Sequence, residues 1–238
     1  YEEAVGDRWK MDTPMPEGVK NLIEKKENEV EEVASTVDFV FSAVDMTKDE
    51  IRAIEEEYAK TETPVVSNNS AHRWTKDVPM VVPEINAAHF DLIKTQKERL
   101  GTTRGFIAVK PNCSIQSYTP ALAAWKEFGP KEVVVTTYQA ISGAGKTFKD
   151  WPEMIENIIP YIGGEEEKSE KEPLRVLGTL ENGEIKLAED PKITCQCLRV
   201  PVLNGHTAAV FINFKKKPTK KQLIEKLESY KGFPQEAE

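Results

Sequence analysis

The chain has 238 residues, a formal net charge of −8, 39% apolar residues and 30% charged residues, a globular composition long enough for one large domain or two small ones. No apolar run approaches the ~20 residues needed to cross a bilayer, so no membrane partner is expected. Basic residues are not gathered into one stripe, which argues against a nucleic-acid partner.

The polar opening Tyr1-Glu2-Glu3-Ala4-Val5-Gly6-Asp7-Arg8-Trp9 has no Met, and the closing Gly232-Phe233-Pro234-Gln235-Glu236-Ala237-Glu238 has no helix or strand character. Both read as cuts through a longer protein. In the first half, Val37 to Ala43 is a short apolar run that suits a buried parallel strand. Thr47 with Glu50 three residues on predicts a capping box and a helix through Tyr58. Pro64 to Ser67 predicts a second strand, followed by the polar turn Asn68-Asn69-Ser70. Val78 to Val82 suggests another strand, Ala87 to Ile93 a short helix and Gly105 to Val109 a further strand. Such alternation implies a parallel sheet with ligands at its carboxyl ends. Arg73, just past the polar turn, stands at a position suited to an anion. His72 and His89 have no partner pattern and are left unassigned.

Pro111 ends the strand before Cys113, and Ser114 to Phe128 predicts a helix. Cys113 would then sit at the positive end of a helix dipole, where free N–H groups stabilise a thiolate or hold an oxyanion. Three cysteines, an odd number, argue against a disulfide framework and suit a reducing, cytoplasmic compartment. Cys195 and Cys197 alternate on a strand and read as packing residues; two ligands make no zinc site, so no metal is expected.

The second half is richer in β runs: Glu132 to Tyr138, Ile193 to Leu203 and His206 to Phe214. Lys215-Lys216-Lys217 reads as a solvated strand edge. Asn204-Gly205 predicts a tight antiparallel hairpin between the last two strands. On that hairpin Arg199 and His206 share a face, roughly 13 Å apart between Cα atoms. The guanidinium suits a carboxylate and the imidazole suits proton transfer. Gln139 ends its strand, where it could order a reacting carbonyl. Ser142, Gly143 and Gly145 are small residues that let backbone approach a ligand. Glu165 and Lys168 would share a helix face inside the charged patch Glu165 to Glu172. A helix from Thr219 to Tyr230 follows. The fold class expected is an α/β nucleotide-binding, Rossmann-like portion (residues 1–112), then an α+β catalytic and dimerisation domain with a mostly antiparallel sheet (residues 113–238). A thiol, His, Gln and Arg suggest nucleophilic cysteine chemistry: hydrolysis, acyl transfer or aldehyde oxidation through a thioester.

Pro111-Asn112-Cys113-Ser114, Tyr138-Gln139-Ala140 with Ser142-Gly143-Ala144-Gly145, Pro83-Glu84-Ile85-Asn86 and Arg199 seven residues before His206 together resemble aspartate-semialdehyde dehydrogenase. The archaeal and fungal branch is suggested by Gly164-Glu165-Glu166-Glu167-Lys168 and Ser70-Ala71-His72-Arg73. The resemblance implies a reversible reaction in which L-aspartate 4-semialdehyde, phosphate and NADP give 4-phospho-L-aspartate and NADPH, a step towards threonine, methionine and lysine. It implies Cys113 as nucleophile, His206 as general acid/base and Gln139 as the group that orients the reacting centre. It assigns Arg199 to the substrate α-carboxylate, Glu165 to its α-amino group, and Arg73, Lys168 and Asn112 to phosphate. Ser70, Ala71, Ser142 and Gly143 would lie near the cofactor. The expected partner is a second copy, in a homodimer or homotetramer. The family's Gly-rich nucleotide turn and its final segment have no counterpart here, so an internal portion is expected, with weak cofactor binding or none. Two alternatives are a reductase of N-acetyl-γ-glutamyl phosphate, to whose acylated amine an ammonium-binding Glu165 would be pointless, and a non-catalytic dimerising fragment.

Overall fold

The computed structural model describes residues 4–9 and 13–237. Of the polar ends read above, residues 1–3 and 238 lie outside the described residues. In chain order the elements are α1 (Glu17–Lys20), α2 (Val30–Ala34), β1 (Val40–Ser42), α3 (Lys48–Lys60), β2 (Val65–Ser67), α4 (Pro83–Asn86), α5 (Leu92–Leu100), β3 (Ile107–Val109), α6 (Thr119–Ala124), β4 (Pro130–Gln139), α7 (Glu165–Val176), β5 (Thr179–Glu181), β6 (Glu184–Lys186), β7 (Lys192–Arg199), β8 (Thr207–Phe214), α8 (Lys220–Ser229) and α9 (Phe233–Glu236).

β1, β2 and β3 form a parallel sheet in that order, with Ser42, Ser67 and Val109 at their carboxyl ends. The helix between β1 and β2 starts at the capping box read from sequence: Thr47 accepts from Glu50 N–H and Glu50 reaches back to Thr47 N–H. Val78 to Val82 forms no full strand. A single parallel bridge, Met80 to Val109, extends the sheet there. Ala87 to Ile93 opens with a 3-10 turn, Ala87–Asp91, before α5 begins.

The second sheet departs from the expected hairpin. β7 and β8 do not pair; β4 lies between them, parallel to β7 and antiparallel to β8, so the sheet is mixed. The segment after β7 turns instead to another loop: Val202 and Leu203 carbonyls accept the N–H groups of Ile141 and Ser142. Those bonds occupy backbone that a two-residue hairpin would have used. β5 and β6 make a small separate antiparallel pair.

The helix predicted from Ser114 to Phe128 is broken into a 3-10 turn (Ser114–Ser117), α6 and a second 3-10 turn (Lys126–Phe128). Pro120, in the first turn of α6, has no N–H to continue a ladder from residue 116. Cys113 is therefore followed by one short turn, not by the dipole of a long helix. α9 was not legible in the closing segment. It packs on α4, with Gly232 so close that a Cβ would fall 2.5 Å from Glu84 Cα, and with Tyr230 Oη–H donating to the Glu84 carbonyl at 2.8 Å.

One cluster of buried side chains joins both halves. Val65, Met80, Ile107 and Val109 from the parallel sheet pack in it with Ile115, Leu122, Val133, Val135, Val176, Cys195 and Cys197. Cys195 and Cys197 share an inner face, as their spacing indicated, with sulfurs 3.7 Å apart. α7, carrying the charged patch, is not a solvated helix throughout: Ser169, Glu172, Pro173, Arg175 and Val176 are buried. Among the described residues, no helix is long and apolar enough to cross a membrane.

Candidate active site

A cavity of about 700 Å³ opens where the carboxyl ends of β2, β3, β4 and β7 converge with the start of α7. Its lining includes Cys113, Gln139, Arg199, His206, Glu165, Lys168, Arg73, Asn112, Ser70, Ser142 and Gly143. Ala71 is buried beside it, its carbonyl accepting Arg52 Nε at 3.0 Å, and is not on the wall.

Cys113 reaches the cavity because β3 is buried on both faces and Pro111 stops the strand. The next residue is pinned on every side. Asn112 N–H donates to Glu172 Oε2 at 2.6 Å, its Nδ2 donates to Glu165 Oε2 at 2.9 Å, and its Oδ1 accepts Ser114 N–H at 2.9 Å. The Asn112 side chain is thus committed largely to shaping the loop and holding Glu165. Cys113, by contrast, is exposed and in no disulfide, and its Sγ lies in hydrogen-bond contact with His206 Nε2 at 3.2 Å.

His206 stands just before β8. Ala140 N–H donates to its Nδ1 at 3.1 Å. With Nδ1 an acceptor, the neutral ring carries its proton on Nε2, the nitrogen that faces the sulfur. Burial lowers the imidazole's affinity for a second proton, and the charges of Arg199 and Lys110 lower it further against the opposing pull of Glu165.

Arg199 reaches the same spot by a different route from the expected hairpin. In the parallel pair β4–β7 it lies beside Gln139, at the same end of the sheet. Its Nη1 donates to the Ala140 carbonyl at 2.7 Å, tying the strand end to the 3-10 turn Ile141–Ala144. Gly143 of that turn leaves the space in which His206 and Arg199 meet. A Cβ there would fall 2.9 Å from His206 Cε1 and 3.1 Å from Arg199 Nη1. Gln139 is buried, its Nε2 donating to Thr137 Oγ1 at 3.2 Å.

Glu165 and Lys168 occupy the first turn of α7 and form an ion pair at 2.8 Å. Burial pushes the Glu165 carboxyl up, but hydrogen bonds from Lys168, Asn112 and Gln139 outweigh it and hold the group below its ordinary range. Arg73 enters from the loop after β2. It donates from Nε to the Lys110 carbonyl, from Nη1 to Glu172 and from Nη2 to the Asn68 carbonyl. Sequence reading missed Lys110, Asn68, Ser117, Ile162 and Gly205 on the wall, and Glu172 behind it. Lys110 had a signal, since it adjoins Pro111-Asn112-Cys113 at the end of a parallel strand.

Comparison with known proteins follows the same outline. Residues 1–93 match the family model described as semialdehyde dehydrogenase, NAD binding domain, and residues 121–237 match semialdehyde dehydrogenase, dimerisation domain. The aspartate-semialdehyde dehydrogenase of Methanothermobacter thermautotrophicus is 40% identical over 228 residues, which cover 95% of this chain and 64% of that protein. That of Aspergillus fumigatus is 38% identical over 222 residues, 92% of this chain and 60% of that protein. The chain thus spans less than two thirds of the length of these curated relatives. The crystal structure of aspartate-semialdehyde dehydrogenase with NADP from Candida albicans superposes with a TM-score of 0.81 at 31% identity, covering 99% of this chain and 67% of that one. With both domain models matched and their order preserved, the chain belongs to the aspartate-semialdehyde dehydrogenase family.

Proposed function

We propose that this chain carries the catalytic centre for the reversible, NADP-dependent conversion of L-aspartate 4-semialdehyde and phosphate to 4-phospho-L-aspartate, through a thioacyl intermediate on Cys113. The observation that carries the reading is the 3.2 Å approach of Cys113 Sγ to His206 Nε2 in a cavity that also presents Arg199 and Glu165. A thiol beside an imidazole is a nucleophile with a proton donor in place. A guanidinium and a carboxylate on the same wall match the α-carboxylate and α-ammonium of a free amino acid. That pairing favours aspartate semialdehyde over an N-acylated substrate.

Cys113 adds to the aldehyde carbon as its thiolate, the thiol proton having passed to solvent, and His206 Nε2–H hydrogen-bonds the alkoxide so formed and steadies its charge until the hydride leaves. A bound nicotinamide would supply the acceptor for the hydride on the adduct's carbon, and loss of that hydride leaves a thioester on Cys113. Ser70, Ser142 and Gly143 would suit the nicotinamide's reactive end, since they line the cavity with small residues in the turns just past the carboxyl ends of β2 and β4. Phosphate then attacks the thioester carbon. The C–S bond breaks, the acyl phosphate leaves, and the departing thiolate is again met by Nε2–H. Gln139 orders the carbonyl, and Arg73, Lys168 and Asn112 frame the phosphate.

The catalytic and dimerisation unit is read as residues 113–238 and the nucleotide unit as residues 1–112. A second copy would dock on the outer face of the β7-β4-β8 sheet, where Val134 and Phe211, directly paired, are 53% and 76% exposed. Free thiols suit the reducing cytoplasm, where amino-acid biosynthesis of this kind runs.

The test uses the reverse half-reaction, which needs no cofactor. 4-Phospho-L-aspartate should acylate Cys113, giving an aspartyl mass increment on that residue and one equivalent of released phosphate. Cys113→Ser should give neither. Phosphate release without acylation, or acylation elsewhere, would overturn the assignment.

A further inference from the structure

Four cations line the cavity: Arg73, Lys110, Lys168 and Arg199. Three have settled partners. Arg73 is paired with Glu172 at 3.0 Å and Lys168 with Glu165 at 2.8 Å. Arg199 is held by the Ala140 carbonyl beside His206. Lys110 differs. Its ammonium makes one hydrogen bond, to the adjoining Pro111 carbonyl at 3.1 Å, and among the described residues no carboxylate lies within ion-pair distance of it. An ammonium has three N–H donors, so two remain for a ligand.

Its position gives that vacant capacity a direction. Lys110 follows β3 directly and precedes Cys113 by three residues, and its own carbonyl holds Arg73 Nε at 3.0 Å. The side chain is half-buried, and burial pulls its pKa below the ordinary lysine value. Glu172 and Glu165 attract this charge from a distance, but with no carboxylate in ion-pair contact a half-buried ammonium gains when an anion arrives beside it.

We propose that Lys110 binds the phosphoryl group, as inorganic phosphate in one direction and as the acyl phosphate in the other. The inference rests on the phosphate half of the reading above and adds a residue to it. Arg73 and Lys168 have their charges largely offset by Glu172 and Glu165, so they serve as donors in a neutral frame. Lys110, like Arg199 outside ion-pair contact with any described carboxylate but nearer the sulfur's own loop, supplies positive charge that a phosphate dianion can engage directly. A flexible point charge suits an oxyanion that must arrive, attack and leave. Arg199, at the β7 side next to His206, is left for the carboxylate at the other end of the substrate.

Alkylation of Cys113 by iodoacetamide, a neutral reagent, reads phosphate occupancy without turnover or cofactor. Inorganic phosphate, at ionic strength held constant with chloride, should slow alkylation saturably in the chain as it stands. In Lys110→Met the phosphate concentration for half-protection should rise by at least about tenfold, and in Lys110→Arg by less than about fivefold. Each variant is referred to its own unprotected rate. Lys110→Gln repeats the test with a polar side chain should the Met variant fold poorly, as judged by circular dichroism. Equal protection in wild type, Met and Gln variants would mean that Lys110 only holds the Pro111 carbonyl. Absence of protection in the wild type would overturn the phosphate site itself. Neither result touches acylation of Cys113 by 4-phospho-L-aspartate, so failure here is distinct from failure of the proposed reaction.

Discussion

Arg73 and Glu172 form a buried ion pair between the loop after β2 and helix α7, with Nη1 and Oε1 3.0 Å apart and side chains 7% and 2% exposed. The other Glu172 oxygen accepts Asn112 N–H at 2.6 Å. One carboxylate therefore fixes a guanidinium on the cavity wall and the backbone just before Cys113. Glu172→Ala leaves the Arg73 charge buried and unpaired, which should cost about 3–5 kcal/mol in urea denaturation. Replacing both partners, Arg73→Met with Glu172→Ala, should cost less than the sum of the single changes, because the stranded charge is gone. Strict additivity would show that the two side chains do not stabilise each other.

Two other carboxylates of α7 protect a sheet edge. β7 is an outer strand, and its outward N–H groups at Cys195 and Cys197 donate to Glu170 Oε1 and Glu166 Oε1 at 3.1 and 3.3 Å. Glu166 and Glu170 are one helical turn apart, which matches the spacing of alternate residues on a strand closely enough for both bonds. Glu166→Ala and Glu170→Ala should each destabilise by about 1–2 kcal/mol. Amide exchange at Cys197 should accelerate in the first variant and at Cys195 in the second. Unchanged exchange at both amides would show that the carboxylates do not cap the edge.

These features explain what the sequence did and did not make readable. The parallel sheet, the Thr47–Glu50 box and the inward Cys195–Cys197 face rest on local pattern and short-range capping, and each is visible in adjacent residues. The insertion of β4 between β7 and β8 is not, because the Asn204-Gly205 turn signal is local while the bonds from Ile141 and Ser142 to residues 202 and 203 come from about sixty residues away in sequence. Arg199 and His206 converge for that long-range reason. Glu172 was hidden differently: inside a run of like-looking charges, nothing local distinguishes the one carboxylate whose helix face turns inward. Lys110 was overlooked beside a motif whose recognisable residues begin one position later.

Gly143 is where the site tolerates no side chain. A Cβ at that position meets His206 Cε1 at 2.9 Å and Arg199 Nη1 at 3.1 Å, and both groups are anchored, one by Ala140 N–H and the other by the Ala140 carbonyl. Gly143→Ala should therefore displace the imidazole from Cys113 while leaving the fold in place. Acylation of Cys113 by 4-phospho-L-aspartate should slow by about 10²-fold, the penalty for misplacement of order 1 Å, with stability changed by less than about 1 kcal/mol. Acylation at the wild-type rate would mean that His206 is mobile enough to step aside, and that its resting approach to the sulfur is not what sets the rate.

Acid should loosen the joint that leads into β3. Glu62, just after α3, adopts a left-handed backbone conformation with φ of 65°, and its carboxylate accepts the N–H groups of Thr103, Gly105 and Arg104. Those donors, Thr103 foremost, hold its pKa down at about 2 against an ordinary 4.5. The folded pKa lies below the unfolded one, so the contribution is complete above the unfolded value and disappears as pH falls through the folded one. Glu62→Gln should thus be less stable than the wild type at neutral pH, with one oxygen left to accept three N–H groups. The difference in denaturation midpoint should narrow as pH is lowered from about 5 to about 3, because only the wild type loses charge-dependent stability in that window. A gap that stays constant across those pH values would show that ionised Glu62 contributes nothing beyond what a neutral amide supplies, and that the bend into β3 is held by backbone packing alone.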